Sequence, residues 1–181
     1  MNFVAAIAIG DMASIPLDAM VSAIIGFDGL PHRCERIAVI AGVTYYNDSK
    51  ATNEGATLSA VSSMSKITDG EVVVILGGRA KQSDFSSLFT HLQGIRYKLI
   101  IIGESAELIK RFVPADIFVI SAKTLPLAVE QAQMISSAGD IVLLSPACAS
   151  FDMFDSFEQR GEVFKQSVLS LKSCIGDEVN H

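Results

Sequence analysis

Three short stretches of the sequence gather side chains that could bind or transform a charged ligand. The first, Asn47-Asp48-Ser49-Lys50-Ala51-Thr52-Asn53, places a carboxylate, an ammonium and two hydroxyls in one run. Asn53 can cap a following helix, whose free N–H groups favour an anion. The second, Gly77-Gly78-Arg79-Ala80-Lys81, sets two cations directly after two glycines, and glycine lets the backbone come close to a ligand. It lacks the spacing of a Walker phosphate loop. The third, Ser145-Pro146-Ala147-Cys148-Ala149-Ser150, is a run of small residues with room for a bound molecule. It leads on to Phe151-Asp152 and then Phe157-Glu158-Gln159-Arg160-Gly161. Each stretch alone reads equally well as a solvated turn or a capped loop. Together they offer Lys50, Arg79 and Lys81 as cations and Thr52, Ser145 and Ser150 as hydroxyls. That set suits a small ligand with carboxylate or phosphate groups. Cys148 has no histidine near it in sequence, so a buried thiol is a better reading than a nucleophile.

These stretches need elements to hold them, and each follows a strand-like run. Runs of β-forming residues at Ile37–Ile40, Val43–Tyr46, Val72–Leu76, Leu99–Ile102, Ile117–Ile120 and Ile141–Leu144 alternate with helical segments. The helical segments are Asn53–Lys66, Asp84–His91, Glu104–Phe112, Leu125–Ser137 and Phe157–Ser173. The last four runs are almost continuously apolar, as expected of strands covered on both faces. Ala41-Gly42 between the first two suggests a tight hairpin. Leu125, Val129, Ala132 and Ile135 form one helical stripe, with Thr124 as its cap, and Phe157, Phe164, Val168 and Leu171 form another. Such alternation implies an open, mostly parallel α/β sheet with right-handed crossovers. Sheets of this kind bind ligands at the carboxyl ends of their strands, which is where all three polar stretches begin. Ahead of them, Asn2 to Phe27 reads as two short helices. The second carries Leu17, Met20, Val21 and Ile24 on one face and Pro16 in its first turn. Gly29-Leu30-Pro31 reads as a hinge.

The totals exclude several classes of function. A chain of 181 residues holds one well-buried domain and a small attachment. Half of it is hydrophobic and 19% is charged, a composition for a packed core rather than disorder. The net charge of -6 argues against a nucleic-acid partner. The three cysteines (Cys34, Cys148, Cys174) form no CxxC pair, and His32, His91 and His181 lie far from metal-ligand spacing. No metal site is expected, and the thiols are expected to be free in a reducing cytoplasm. Met1 to Phe27 is apolar, but Asp11, Pro16 and Asp18 interrupt it, so no run approaches the roughly 20 residues of a membrane span. No basic leader precedes it, which argues against a signal peptide.

Leu30-Pro31-His32-Arg33, the Asn47–Asn53 stretch, Gly77–Lys81, Ser145–Asp152 and Phe157–Gly161 together resemble the Mur ligases. These are cytoplasmic bacterial enzymes of peptidoglycan precursor synthesis. The resemblance runs in order over essentially the whole chain. LPHR and DSKATN carry the family, while SPACASFD followed by FEQRG resembles the members that add D-glutamate. It implies a three-domain ATP-dependent ligase whose first domain holds the UDP moiety. A central P-loop domain holds ATP, and the last domain holds the incoming amino acid. Residues 1–30 would be the final helices of the central domain. Residues 31–181 would be the amino-acid-binding C-terminal domain, an α/β fold with an open, mostly parallel Rossmann-like sheet and helices on both faces.

The implied reaction uses ATP and Mg2+ to phosphorylate the terminal carboxylate of UDP-N-acetylmuramoyl-L-alanine. The D-glutamate amine then attacks the acyl phosphate. Arg33, Asp48 and Lys50 would lie on the nucleotide side, with Lys50 in a catalytic role, and Asn2 would match an adenine-contacting asparagine. Thr52, Lys81, Ser150 and the backbone near Phe157 would hold the two carboxylates of D-glutamate. Arg79 stands where some members carry an acidic residue. The P-loop and the magnesium ligands of the central domain have no counterpart in this sequence. The chain would therefore bind neither cofactor tightly and would be inactive without the missing N-terminal and central domains. Two other readings stay open: a non-catalytic module binding an anion or amino acid, and a Mur ligase adding a different residue.

Overall fold

The computed structural model describes residues 2–27, 29–81 and 83–178, with side chains over 4–27, 29–81 and 83–171. The chain divides into two compact units, one up to Leu30 and one from Pro31 onward. The first consists of α1 (Asn2–Met12) and α2 (Leu17–Ile25), with Pro16 at the N-cap of α2 rather than inside its first turn. The two helices meet where Gly10 lies against Met20, a contact with no room for a side chain at position 10.

The second unit is a six-stranded sheet in the order β1-β2-β6-β3-β4-β5. Its strands are β1 (Glu35–Ile40), β2 (Val43–Asn47), β3 (Val72–Gly77), β4 (Tyr97–Ile102), β5 (Val119–Ser121) and β6 (Ile141–Leu144). β1 pairs with β2 antiparallel through a bulge between Arg36 and Ala38, and all other pairings are parallel. The β1–β2 hairpin closes on Ala41 and Gly42, both at positive φ (50° and 79°), as a two-residue turn matching strand twist requires.

Helices α3 (Glu54–Met64), α4 (Ser86–His91), α5 (Ala106–Lys110), α6 (Leu125–Ile135) and α7 (Phe157–Glu178) cover the sheet. Side chains alternate across a strand, so β3 sends Val72, Val74 and Leu76 to one face and Val73 and Ile75 to the other. The first face packs against Val61 and Met64 of α3, Leu88 and Phe89 of α4 and Ile109 of α5. The second packs against Leu125, Ala128 and Val129 of α6 and Phe164 and Val168 of α7. Burying each of these large apolar side chains contributes roughly 1.5–3 kcal/mol. Asn53 and Thr124 cap α3 and α6, accepting from the N–H groups of Ala56 and Leu127. This is the α/β architecture with helices on both faces that the sequence implies.

Most element bounds shift by one or two residues, and α7 runs on to Glu178, past the Ser173 expected; two of the shifts have a visible cause. The fifth strand begins at Val119, because Ile117 is spent in a turn to Pro114. It is an edge strand, half-buried rather than covered on both faces, with Phe118 49% exposed. The helix expected from Glu104 begins only at Ala106, because the Glu104 N–H donates to the Asp152 carboxylate and Ala106 closes a turn onto Gly103.

Candidate functional site

The three polar stretches follow β2, β3 and β6, and these strands are adjacent and parallel, with β6 in the middle. Their carboxyl ends therefore open side by side. The chain leaves β2 and β3 for helices on one face of the sheet and leaves β6 for α7 on the other. Loops that diverge in this way part to leave a crevice, the usual place for a ligand in an open α/β sheet.

The loop after β2 is built from inside. The Asn47 amide oxygen accepts the Ser49 N–H at 3.1 Å, while its nitrogen lies 3.0 Å from His32 Nδ1 and donates to the Gly161 carbonyl at 3.3 Å. Asp48 is buried, and both carboxylate oxygens are engaged within the chain. Oδ1 accepts from the Cys34 N–H at 3.2 Å and Oδ2 from the Ser145 hydroxyl at 3.0 Å. Burial pushes the Asp48 carboxyl up to about 6, against the lowering effect of those bonds and of the Arg33 charge. Ser145 is held in turn by Thr57 of α3, whose hydroxyl donates to the Ser145 carbonyl at 3.1 Å.

The loop after β3 is stitched to the loop after β6. The Arg79 N–H donates to the Ala149 carbonyl at 2.9 Å, and the Ala149 N–H donates back at 3.0 Å. Gly78 makes this approach possible: its φ is 131°, and any side chain there would run into the Ala149 carbonyl. The Arg79 side chain turns away to an exposed ion pair with Glu104 at 2.8 Å.

Between these loops lies a cavity of about 170 Å3. Lys50, Thr52, Lys81, Ser150 and Phe157 line it, and Ala149 and Phe151 complete the wall. It is smaller than the roughly 300–1,000 Å3 of drug-sized ligand sites, so it suits a molecule the size of an amino acid. The Lys50 ammonium sits 3.7 Å from the centre of the Phe157 ring, and the His32 ring meets that ring edge-on with centroids 6.0 Å apart. A cation over an aromatic face is attracted by the ring quadrupole, which keeps Lys50 at the cavity wall. The Phe157 carbonyl accepts from the Ser49 hydroxyl at 2.8 Å.

Of the residues singled out in the sequence, Lys50, Thr52, Lys81, Ser150 and Phe157 thus share one cavity. Arg33 is exposed in the turn before β1, tied to the Lys50 loop through the bond from the Lys50 N–H to the His32 carbonyl at 3.1 Å. Asp48 lies beneath this region with its oxygens turned inward. Asn2 opens α1, and its side chain lies outside the described residues. Cys148 is fully buried, and burial pushes both its thiol and that of Cys34 up to about 12, which leaves little thiolate at neutral pH. Among the described residues no group of three or more His, Cys, Asp or Glu side chains could hold a metal. No helix among them is long and apolar enough to cross a membrane.

Sequence reasoning missed the residues beneath the cavity. Arg160 is 1% exposed and bonds the Ser49 and Cys148 carbonyls and the Ser49 hydroxyl. Asn47 and Thr57 are buried too. Arg160 and Asn47 stand in polar runs of their own, and only the fold shows which loops they join.

The fold is one found among the Mur ligases. Residues 32–148 match the family model for the Mur ligase, glutamate ligase domain, and the chain belongs to this family. It is 45% identical over 170 residues to the UDP-N-acetylmuramoylalanine--D-glutamate ligase of Hahella chejuensis, covering 94% of this chain and 38% of that relative. It is 41% identical over 170 residues to the enzyme of the same name from Coxiella burnetii, again covering 94% and 38%. The chain thus spans under two-fifths of the length of these curated relatives. Among solved structures, a Thermotoga maritima MurF ligase in complex with ADP shares the fold with a TM-score of 0.67 at 14% identity, over 93% of this chain and 38% of that one. A bifunctional folylpolyglutamate synthase/dihydrofolate synthase from Yersinia pestis shares it with a TM-score of 0.63 at 17% identity, over 87% and 36%.

Proposed function

We propose that this chain is the amino-acid-binding portion of an ATP-dependent ligase that joins D-glutamate to UDP-N-acetylmuramoyl-L-alanine during peptidoglycan synthesis in the bacterial cytoplasm. The observation that carries the reading is one cavity lined by Lys50, Thr52, Lys81, Ser150 and Phe157 at the ends of three adjacent strands. D-Glutamate brings two carboxylates and an amine that must stay free to attack. The cavity supplies cations and hydroxyls for the carboxylates, and among the described residues no acidic side chain lines it to capture the amine. Lys81 binds one carboxylate as a charge-assisted partner, and Thr52 and Ser150 donate to the other. The backbone at Phe157 completes the seat. Holding the amine in one orientation beside an activated carboxyl is the catalytic contribution of this unit.

Nucleotide binding falls to the Arg33 side of the Lys50 loop, with Lys50 shared between the two ligands: its ammonium stands at the cavity wall, and Arg33 is an exposed cation on a loop joined to its own by a backbone bond. ATP, when bound, supplies the phosphoryl group that activates the acceptor carboxylate, and Lys50 neutralises the charge that develops beside it. Asp48 sets the position of that loop, and Asn2 serves the adenine side. In this reading the magnesium ligands belong to the central domain. Residues 1–30 are the last helices of the central domain.

The test is Lys81→Ala in the full-length ligase. The loss of one charge-assisted bond, about 1.5–3 kcal/mol, should raise the D-glutamate requirement markedly and leave that for ATP nearly unchanged. A D-glutamate dependence equal to that of the wild type removes Lys81 from the pocket.

A further inference from the structure

We infer that Arg160 is a positioning residue for this site: its guanidinium locks the loop after β2 to the loop after β6 and so fixes the spacing across the cavity. The inference rests on the functional reading above. Arg160 is the largest fully buried side chain, and no carboxylate pairs with it among the described residues. Burial lowers its affinity for the proton, to about 10, yet leaves it charged at neutral pH. An unpaired buried cation persists only where fixed dipoles saturate its donors.

Here the two loops themselves take four hydrogen bonds from the guanidinium, and the Asp152 charge nearby favours its charged form. Nε donates to the Ser49 hydroxyl at 3.0 Å and Nη2 to the Ser49 carbonyl at 2.9 Å. Nη1 and Nη2 both donate to the Cys148 carbonyl, at 3.1 and 3.2 Å. Each bonded residue adjoins cavity wall: Ser49 precedes Lys50, and Cys148 precedes Ala149 and Ser150. The Ser49 hydroxyl passes the connection to the Phe157 carbonyl. The third loop leans on the same group, since a Cβ on Gly78 would lie 3.2 Å from Nη1. A planar, five-donor fork can bridge two carbonyls in fixed geometry, and a lysine ammonium cannot. Arg160 touches no ligand in this arrangement; it sets the distance between groups that do.

The experiment compares wild type, Arg160→Lys and Ser49→Ala in the full-length ligase, by amide hydrogen exchange and by steady-state kinetics. In Arg160→Lys, exchange should quicken together in residues 49–51 and 148–150, while β3 and β4 keep their protection. The KM for D-glutamate should rise about tenfold, the equivalent of about 1.4 kcal/mol, with little change in the KM for ATP. Ser49→Ala keeps the arginine buried and removes one acceptor, so it should shift the same loops and the same KM by less. Unchanged exchange in either loop, or equal rises in both KM values, overturns the positioning role. If Arg160→Lys does not fold, Ser49→Ala decides by the same two readings. A wild-type ligase without D-glutamate dependence would sink the functional reading, and the exchange data would still decide whether Arg160 clamps the loops.

Discussion

Asp48 shows how one residue can be conspicuous in a sequence for a charge that the fold turns inward. Its carboxylate is buried and holds Cys34 and Ser145, and burial raises its proton affinity to about 6. The unfolded chain has an ordinary aspartate near 4. Between these values the folded state binds the proton more tightly than the unfolded one. The stability that Asp48 contributes is therefore full below about pH 4 and is lost as pH rises through about 6. Asp48→Asn keeps an acceptor for the Cys34 N–H and cannot ionise. Its stability relative to wild type should climb between about pH 4 and pH 7 by on the order of 1–3 kcal/mol. Urea unfolding midpoints at several pH values check this, and a difference that stays flat with pH would show that Asp48 does not titrate in the folded protein. At this scale the sequence singled out Lys50, Thr52, Lys81 and Ser150 because they stand in polar or small-residue runs after strands, and Phe157 through the family resemblance; the structure brings all five to one cavity. Arg160 was not, because nothing in its own neighbourhood says that its partners are the carbonyls of residues 49 and 148.

At the scale of elements, the apolar runs were the readable signal. β6 falls where its run predicts, and the caps at Asn53 and Thr124 mark true helix starts. β5 was misplaced because an edge strand has one neighbour, so its burial pattern is weak and its bounds depend on the turn before it. The order of the strands was not legible at all: the sheet inserts its last strand between its second and third, and no local pattern encodes that. The junction of the loops after β3 and β6 also explains Gly78, while Gly77 is confined by the Ile102 carbonyl at the end of β4. Gly78→Ala should destabilise the protein by on the order of 1–3 kcal/mol, since its φ of 131° and the Ala149 carbonyl both exclude a Cβ. It should also raise the D-glutamate requirement by spreading the Lys81 and Ser150 walls. Thermal unfolding and substrate titration of this variant check both effects, and a neutral result in both would mean that the loops re-pair without loss.

At the scale of the whole molecule, the chain carries a cavity of about 170 Å3 and spans 38% of the length of a related ligase. Mixed with UDP-N-acetylmuramoyl-L-alanine, D-glutamate, ATP and magnesium, the 181-residue chain alone should release no phosphate above background. Sustained turnover would show that the phosphate-handling groups lie within it after all. The position of β6 has a consequence for how the molecule comes into being. β2 and β3 each present an unpaired edge to the other until residues 141–144 slide in between. Between the emergence of residues 102 and 141, a chain in synthesis therefore carries two partial sheets, both with open edges of the kind that attract other chains. Only when the final strand arrives does the sheet become continuous, and the same event brings the three loops together. Joining of the three loops and removal of the aggregation hazard are one step, and α7 then brings Phe157 to the cavity wall.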